Sequence, residues 1–175
     1  SALMKSRFPL INLIDIQDCV GWAEGKNIGL RKIIQLEYDY VLLANNDLHF
    51  EDPSILSSMV EIADLTKAIV GVSQYHYDAP EVLYHNGRSF PFEFDFPCLE
   101  LPILEDVEIC DYVPGSFALI PASVFKTVGL IDASFFLYVE DTDFALRARL
   151  EGYACLTLKS KSILHKVSLT NGVLS

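Results

Sequence analysis

Three groups of residues in this sequence have types and spacings that could do chemistry. Asp47 follows Asn45 and Asn46 directly after the apolar run Tyr40-Val41-Leu42-Leu43-Ala44. In open α/β sheets ligands gather beyond the carboxyl ends of strands. The carboxylate is therefore either a polar turn residue or a ligand for a hard, oxygen-preferring cation such as Mg2+ or Mn2+. It is not needed as a helix cap, because Asp52-Pro53-Ser54 carries its own cap and a proline at the first helical position. The second group, Glu140-Asp141-Thr142-Asp143, sets three carboxylates within four residues. Their repulsion is offset either by a helix N-terminus, worth roughly 0.3–1 kcal/mol per acid, or by a cation beside a general base. The run Phe135 to Val139 ahead of them would deliver the cluster into a cleft. Third, Gly21, Gly25 and Gly29 punctuate a stretch containing Lys26, as in a phosphate-cradling loop before a helix. That spacing is neither a P-loop nor a dinucleotide fingerprint. His165 closes an apolar strand and reads as a structural residue or a ligand. His49, His76 and His85 are lone residues without a helical partner, and no Gly-x-Ser-x-Gly elbow is present.

The elements that must position these groups alternate. Pro9 to Ile16 is a nearly continuous apolar run of strand length, and Ile28 to Leu36 fits an amphipathic helix. Tyr40 to Ala44 reads as a strand apolar on both faces, as a central parallel strand is. A helix from Asp52 to about Leu65 and a strand from Ala68 to Val72 complete a strand–helix order at βαβ spacing. The expectation is an α/β domain with a mostly parallel central sheet flanked by helices. From Ser73 to Asp111 four prolines break the pattern and aromatics crowd in. Strands within Val82–Phe90 and Val107–Val113 would form a mixed, partly antiparallel region. Pro121 opens a short helix ended by Gly129, Asp143 to Glu151 is a helix closed by Gly152, and Ala154–Leu158 and Ser162–Leu164 are late strands.

With 175 residues the chain is one domain, and 51% hydrophobic residues exclude global disorder. Thirteen basic against 24 acidic residues give a net charge of −11. Such a surface speaks against binding duplex nucleic acid, which needs a positive face. No apolar run approaches the ~20 residues of a membrane span, and no basic segment precedes an apolar signal core. Cys19, Cys98, Cys110 and Cys155 form no Cys-x-x-Cys pair. Scattered cysteines suit a reducing compartment, and the expected location is cytoplasmic, or peripheral at the inner face of the membrane.

Taken in order, the motifs Gly21-Trp22-Ala23-Glu24-Gly25-Lys26-Asn27-Ile28-Gly29 and Asp39 to Asp47 resemble inverting glycosyltransferases of family 2. The later motifs Val113-Pro114-Gly115-Ser116, Val128 to Asp132, Phe135 to Asp143 and Leu146 to Tyr153 look like its rhamnosyltransferase-like branch. The resemblance covers about residues 10 to 170. It implies a GT-A fold, and transfer of a sugar from a nucleotide-diphosphate sugar to a saccharide or lipid-linked saccharide hydroxyl with inversion, assisted by Mg2+ or Mn2+. It further implies that Asp47 closes a D-x-D-type motif and binds the cation, with His165 where some members have a further ligand. Asp141 would be the base with Glu140 beside it. Lys26, Asn27, Asn45, Asn46, Gly115 and Ser116 would contact substrate. Asn45 replaces the first acid of the motif, and Cys19 stands where relatives often have asparagine. The family's first strand–helix–strand unit, which holds the nucleotide base, has no counterpart here. Residues 10–72 would then be the remainder of the nucleotide-sugar half and residues 73–175 the acceptor half of one N-terminally incomplete domain. Such a sheet is expected to self-associate through its open edge, with weak activity on its own. The alternatives are a metal-dependent nucleotidyltransferase and a catalytically silent saccharide-binding or assembly module.

Overall fold

The computed structural model describes residues 2–90 and 94–166. After a short helix α1 (Ala2–Arg7), the chain forms α2 (Gly21–Ile33), β1 (Tyr40–Ala44), β2 (Leu48–His49), α3 (Ile55–Thr66), β3 (Ile69–His76) and β4 (Ala79–His85). It continues through β5 (Val107–Cys110), β6 (Phe117–Pro121), α4 (Ala122–Val128), α5 (Glu140–Leu150) and β7 (Cys155–His165). One seven-stranded sheet runs in the order β1-β6-β3-β7-β2, with β4 added to β3 and β5 to β7.

The side-chain alternation of the central strands builds two apolar layers. On β6, Ala118 and Ile120 face a core shared with Ala23 and Leu30 of α2, Phe125 of α4 and Phe144 of α5. Phe117 and Leu119 face the opposite core, with Val70 and Val72 of β3 and Ile55, Met59 and Ala63 of α3. The α3 residues recur every fourth position, so one stripe of that helix is buried. Asp52 Oδ1 accepts the Ser54 N–H at 2.8 Å just ahead of α3, whose N-cap is Ser54 and not the expected Asp52. Lys161 of β7 holds the other Asp52 oxygen at 2.7 Å, which fastens the start of α3 to the sheet.

Several expectations are corrected. Pro9 to Ile16 forms no strand, and Leu10 is 96% exposed. Strand geometry requires a ladder partner, and this run has none among the described residues. The glycines of 21–29 lie inside α2, not in a loop before it. Tertiary packing overrides their low helix propensity, because Ala23, Asn27 and Leu30 form one buried stripe while Gly25 and Gly29 face open space. The helix therefore starts seven residues before the expected Ile28. β1 is an end strand with Leu42 exposed, not a central one. A strand not expected from the sequence, β6, precedes the helix after Pro121, and all five of its residues are buried. It pairs antiparallel with both β1 and β3. β1, β3 and β7 do run in one direction, but only β3 and β7 pair in parallel, so the described sheet is mostly antiparallel in its ladders. The two late strands are one, β7, with a register shift opposite Val72 and Ser73.

His85 ends β4 at 8% exposure, its Nδ1 accepting the Gly87 N–H at 3.0 Å. That bond needs an unprotonated Nδ1. Burial, and then the Arg88 charge, push the imidazole down to about 4. Between about 4 and 6.5 the unfolded chain therefore binds more protons than the folded one. This contribution to stability is complete above about pH 6.5 and lost as pH falls toward 4, reaching up to about 3 kcal/mol. His85→Asn retains an acceptor without the titration. Urea midpoints from pH 4 to 7 are expected to fall less steeply on acidification in that variant than in the parent protein; parallel slopes would contradict this.

Candidate active site

A cleft of about 630 Å³ opens along the carboxyl end of β1. Asn45, Asn46, Asp47, Ser116, Glu140, Asp141 and His165 all line it. The sheet register explains why. β2 pairs Leu48 with His165 at the end of β7, and the Lys166 N–H donates to the Asp47 carbonyl at 3.0 Å. Asp47 Oδ1 thereby comes to 3.2 Å from His165 Nε2, with both side chains largely buried. No hydrogen bond reaches that oxygen, so a desolvated carboxylate oxygen stands unpartnered beside an imidazole. Burial lowers the His165 pKa, Asp47 opposing, which favours the neutral ring.

The acidic cluster stands at the mouth of α5. Tyr138 and Val139 ahead of it take left-handed φ of 71° and 72°. For a β-branched residue such a backbone costs roughly 1–3 kcal/mol and persists only where its surroundings enforce it. The twist brings Glu140 into the protein at 5% exposure, with Oε2 lacking a partner and its pKa raised by burial. Asp141 is held by two backbone donors, Gly115 N–H on Oδ2 at 3.0 Å and Thr142 N–H on Oδ1 at 2.8 Å. Asp143 points elsewhere. It pairs with Arg147 at 2.7 Å, and Arg147 also donates to the Val128 and Leu130 carbonyls, fixing α5 to the segment after α4.

The start of α2 forms the adjoining wall. The Trp22 N–H donates to the Phe136 carbonyl at 2.9 Å, and its indole Nε1–H to Asn45 Oδ1 at 3.0 Å. A Cβ on Gly21 would sit 2.5 Å from that same carbonyl, and one on Gly115 2.5 Å from the Trp22 ring. Both glycines thus permit close approaches no other residue allows. Lys26 donates to the Ala44 carbonyl at 2.7 Å and lies over the Trp22 ring. Its pKa is lowered by burial, while the Asp47 charge pulls the other way. The substrate contact expected at Asn27 is corrected. That side chain is 2% exposed and exchanges both of its hydrogen bonds with the Ile131 backbone.

Gln74, Tyr84, Arg88 and Tyr112 were not singled out from the sequence. Tyr84, Arg88 and Tyr112 line the cleft, brought there by the β3–β4 hairpin and the bridge between Arg88 and Tyr112. Gln74 lies beneath, fully buried, and accepts the Ser116 hydroxyl at 2.9 Å. The available signal was a glutamine following the apolar run of β3, where a polar side chain needs partners. Among the described residues no group of three or more His, Cys, Asp or Glu side chains converges as a self-sufficient metal site.

The fold is of the GT-A type, as comparison with a solved structure shows. No family model matches the chain. It is 28% identical over 155 residues to the low-salt glycan biosynthesis hexosyltransferase Agl10 of Haloferax volcanii, covering 81% of this chain and 47% of that protein. It is 26% identical over 147 residues to the rhamnosyltransferase WbbL of Escherichia coli, covering 75% and 55%. The chain thus spans about half the length of the curated relatives it matches. A crystal structure of GalNAc-T7 with UDP, GalNAc and Mn2+ shares the fold, with a TM-score of 0.65 over 94% of this chain and 34% of that one at 11% identity. Together these show a fold of the GT-A type and a likeness to two sugar transferases. No described helix is long and apolar enough to cross a membrane.

Proposed function

We propose that this domain carries the cation seat and the catalytic base of an enzyme that transfers a sugar from a nucleotide-diphosphate sugar to a saccharide hydroxyl, with inversion. The observation that carries the reading is a single cleft lined by Asp47 and His165 together with Asp141 and Glu140. Asp47 and His165 fit a divalent cation. Asp47 Oδ1 is buried without a partner, and imidazole and carboxylate are both ligands for Mn2+-like ions. Two protein ligands suffice for such an ion when substrate phosphates and water complete its shell. Bound there, the cation would supply positive charge to the leaving diphosphate.

The chain's own residues do the rest. The Asp141 carboxylate, oriented by the Gly115 and Thr142 amides, accepts the proton of the acceptor hydroxyl as that oxygen attacks the anomeric carbon. Tyr84, Tyr112 and Tyr138 offer ring faces and hydroxyls to the sugars, and Arg88 brings positive charge to a cleft that also holds the carboxylates of Asp47, Glu140 and Asp141. The four cysteines are unpaired, which suits a cytoplasmic enzyme drawing on cytoplasmic nucleotide sugars. The test is release of nucleoside diphosphate from a panel of nucleotide sugars with Mn2+ and saccharide acceptors. Acceptor-dependent release with an inverted product supports the reading. Saccharide binding without turnover would make the protein a silent binding module instead.

A further inference from the structure

We infer that Arg88 forms an anion subsite for the acceptor: its guanidinium takes a phosphate or carboxylate group of the acceptor saccharide while Asp141 takes the proton of the attacking hydroxyl. The inference rests on the reading of Asp141 as the base and adds the chemical class of the acceptor, a negatively charged saccharide.

Several devices hold Arg88 in place. Its N–H donates to the Tyr112 carbonyl at 3.3 Å, and its own carbonyl accepts the Asp111 and Tyr112 N–H groups at 2.9 and 3.2 Å. Gly87 before it has a φ of +83°, and a Cβ there would stand 2.6 Å from Cys110 Sγ, so only glycine makes this approach. The side chain so placed lines the cleft with Tyr84, Tyr112, Tyr138 and Asp141. Its charge is uncompensated there. Arg31, Arg147 and Arg149 each grip a carboxylate, whereas Arg88 grips none among the described residues. Asp111, the acid beside it on this wall, is already committed. One of its oxygens binds Arg149 and the other accepts the Phe90 N–H at 2.6 Å. The Asp141 oxygens are held by the Gly115 and Thr142 amides. A guanidinium fixed at a cleft wall without a counter-charge suits an oxyanion, which its planar fork meets with two parallel hydrogen bonds.

Position assigns that oxyanion to the acceptor. The donor diphosphate belongs to Asp47 and His165 in the reading above. His85 packs edge-on against Tyr112, with ring centroids 5.4 Å apart, and the two flank Arg88. The charges that act on both rings are those of Arg88 and Asp141, not that of Asp47. Arg88 therefore stands at the end of the cleft that holds the base.

The test titrates the metal-free protein at constant ionic strength with methyl phosphate, methyl glucuronide and the neutral methyl glucoside. In nitrogen-15 NMR the Arg88 Nε–H signal is expected to shift with one or both anions and not with the glucoside; which anion acts tells phosphate from carboxylate. Arg88→Gln should weaken that binding about 10–100-fold, read from the Tyr112 amide, the usual scale for a hydrogen bond to a charged group. Lys126→Gln removes an equal charge from the exposed surface of α4 and should leave the binding unchanged. An Arg88 signal that no anion moves, one that the glucoside moves equally, or equal losses in the two variants would overturn the inference. In turnover with a charged acceptor, Arg88→Gln should raise the acceptor KM by a similar factor and hold kcat and the donor KM within a few-fold. A raised donor KM with an unchanged acceptor KM would assign Arg88 to the donor diphosphate and overturn the acceptor assignment. Because the binding probes need no turnover, an inactive protein that takes methyl phosphate at Arg88 would overturn the transfer reading and support the anion subsite.

Discussion

Replacing Asp141 with asparagine is expected to lower kcat by about 10²–10⁴-fold while leaving donor affinity within a few-fold. Reach decides the assignment before basicity does. Asp143 is committed to Arg147, and Asp47 faces His165. Burial raises the Glu140 pKa, but at 5% exposure that carboxyl gives an acceptor sugar little access. Asp141 is the part-buried carboxylate held at the rim. The asparagine keeps the shape, yet one of its two polar atoms becomes an NH2 set against a backbone N–H donor, so about 1–3 kcal/mol of stability should go with the activity. Glu140→Gln is the informative companion. It removes a buried charge with an unpartnered oxygen, so its thermal midpoint should hold or rise, and kcat should fall less than in Asp141→Asn. A dead Glu140→Gln beside an active Asp141→Asn would move the base one residue upstream.

How far this site was legible in the sequence depends on what each residue owes to its neighbours in the chain. Asp47 and the Glu140-Asp141 pair stand at the end of an apolar strand and the start of a helix, and local patterning marks both places. Asn27 was expected at the substrate only through the family resemblance, and no local pattern shows that its amide is taken up by the Ile131 backbone. The Gly21–Gly29 stretch misled. Its glycines read as breakers, while the force that makes it a helix is burial of Ala23 and Leu30 against strands far along the chain. Pro9 to Ile16 shows the converse, since an apolar run of strand length makes a strand only when another strand completes its hydrogen bonds. β6 was hidden between the turn residues Pro114-Gly115 and Pro121, although its burial sets the order of the whole sheet. The pairing of Asp47 with His165 depends on the β2–β7 register, which no local pattern encodes; only the family resemblance suggested it.

Asp47→Asn is expected to abolish the response to Mn2+ and to lower kcat/KM by roughly 10²-fold or more, the scale of several kcal/mol of charge stabilisation. The variant's metal-free stability makes the test sharper than activity alone. Asp47 Oδ1 is desolvated without a hydrogen bond, and burial disfavours charge on His165 beside it, so the carboxylate gains little from its surroundings when no cation is present. Removing its charge should therefore leave the metal-free thermal midpoint unchanged or raise it. Added Mn2+ should then separate the two proteins. A cation that binds only the folded state stabilises it by about 2.7 kcal/mol at a hundred times its dissociation constant. The parent protein should show that upward shift, and Asp47→Asn should show none. The opposite pattern, a variant destabilised without metal and an equal Mn2+ shift in both proteins, would mean that Asp47 and His165 form a structural ion pair. The unpartnered oxygen at the end of β1 would then hold the β2–β7 junction together, and the cation would have to bind elsewhere in the cleft.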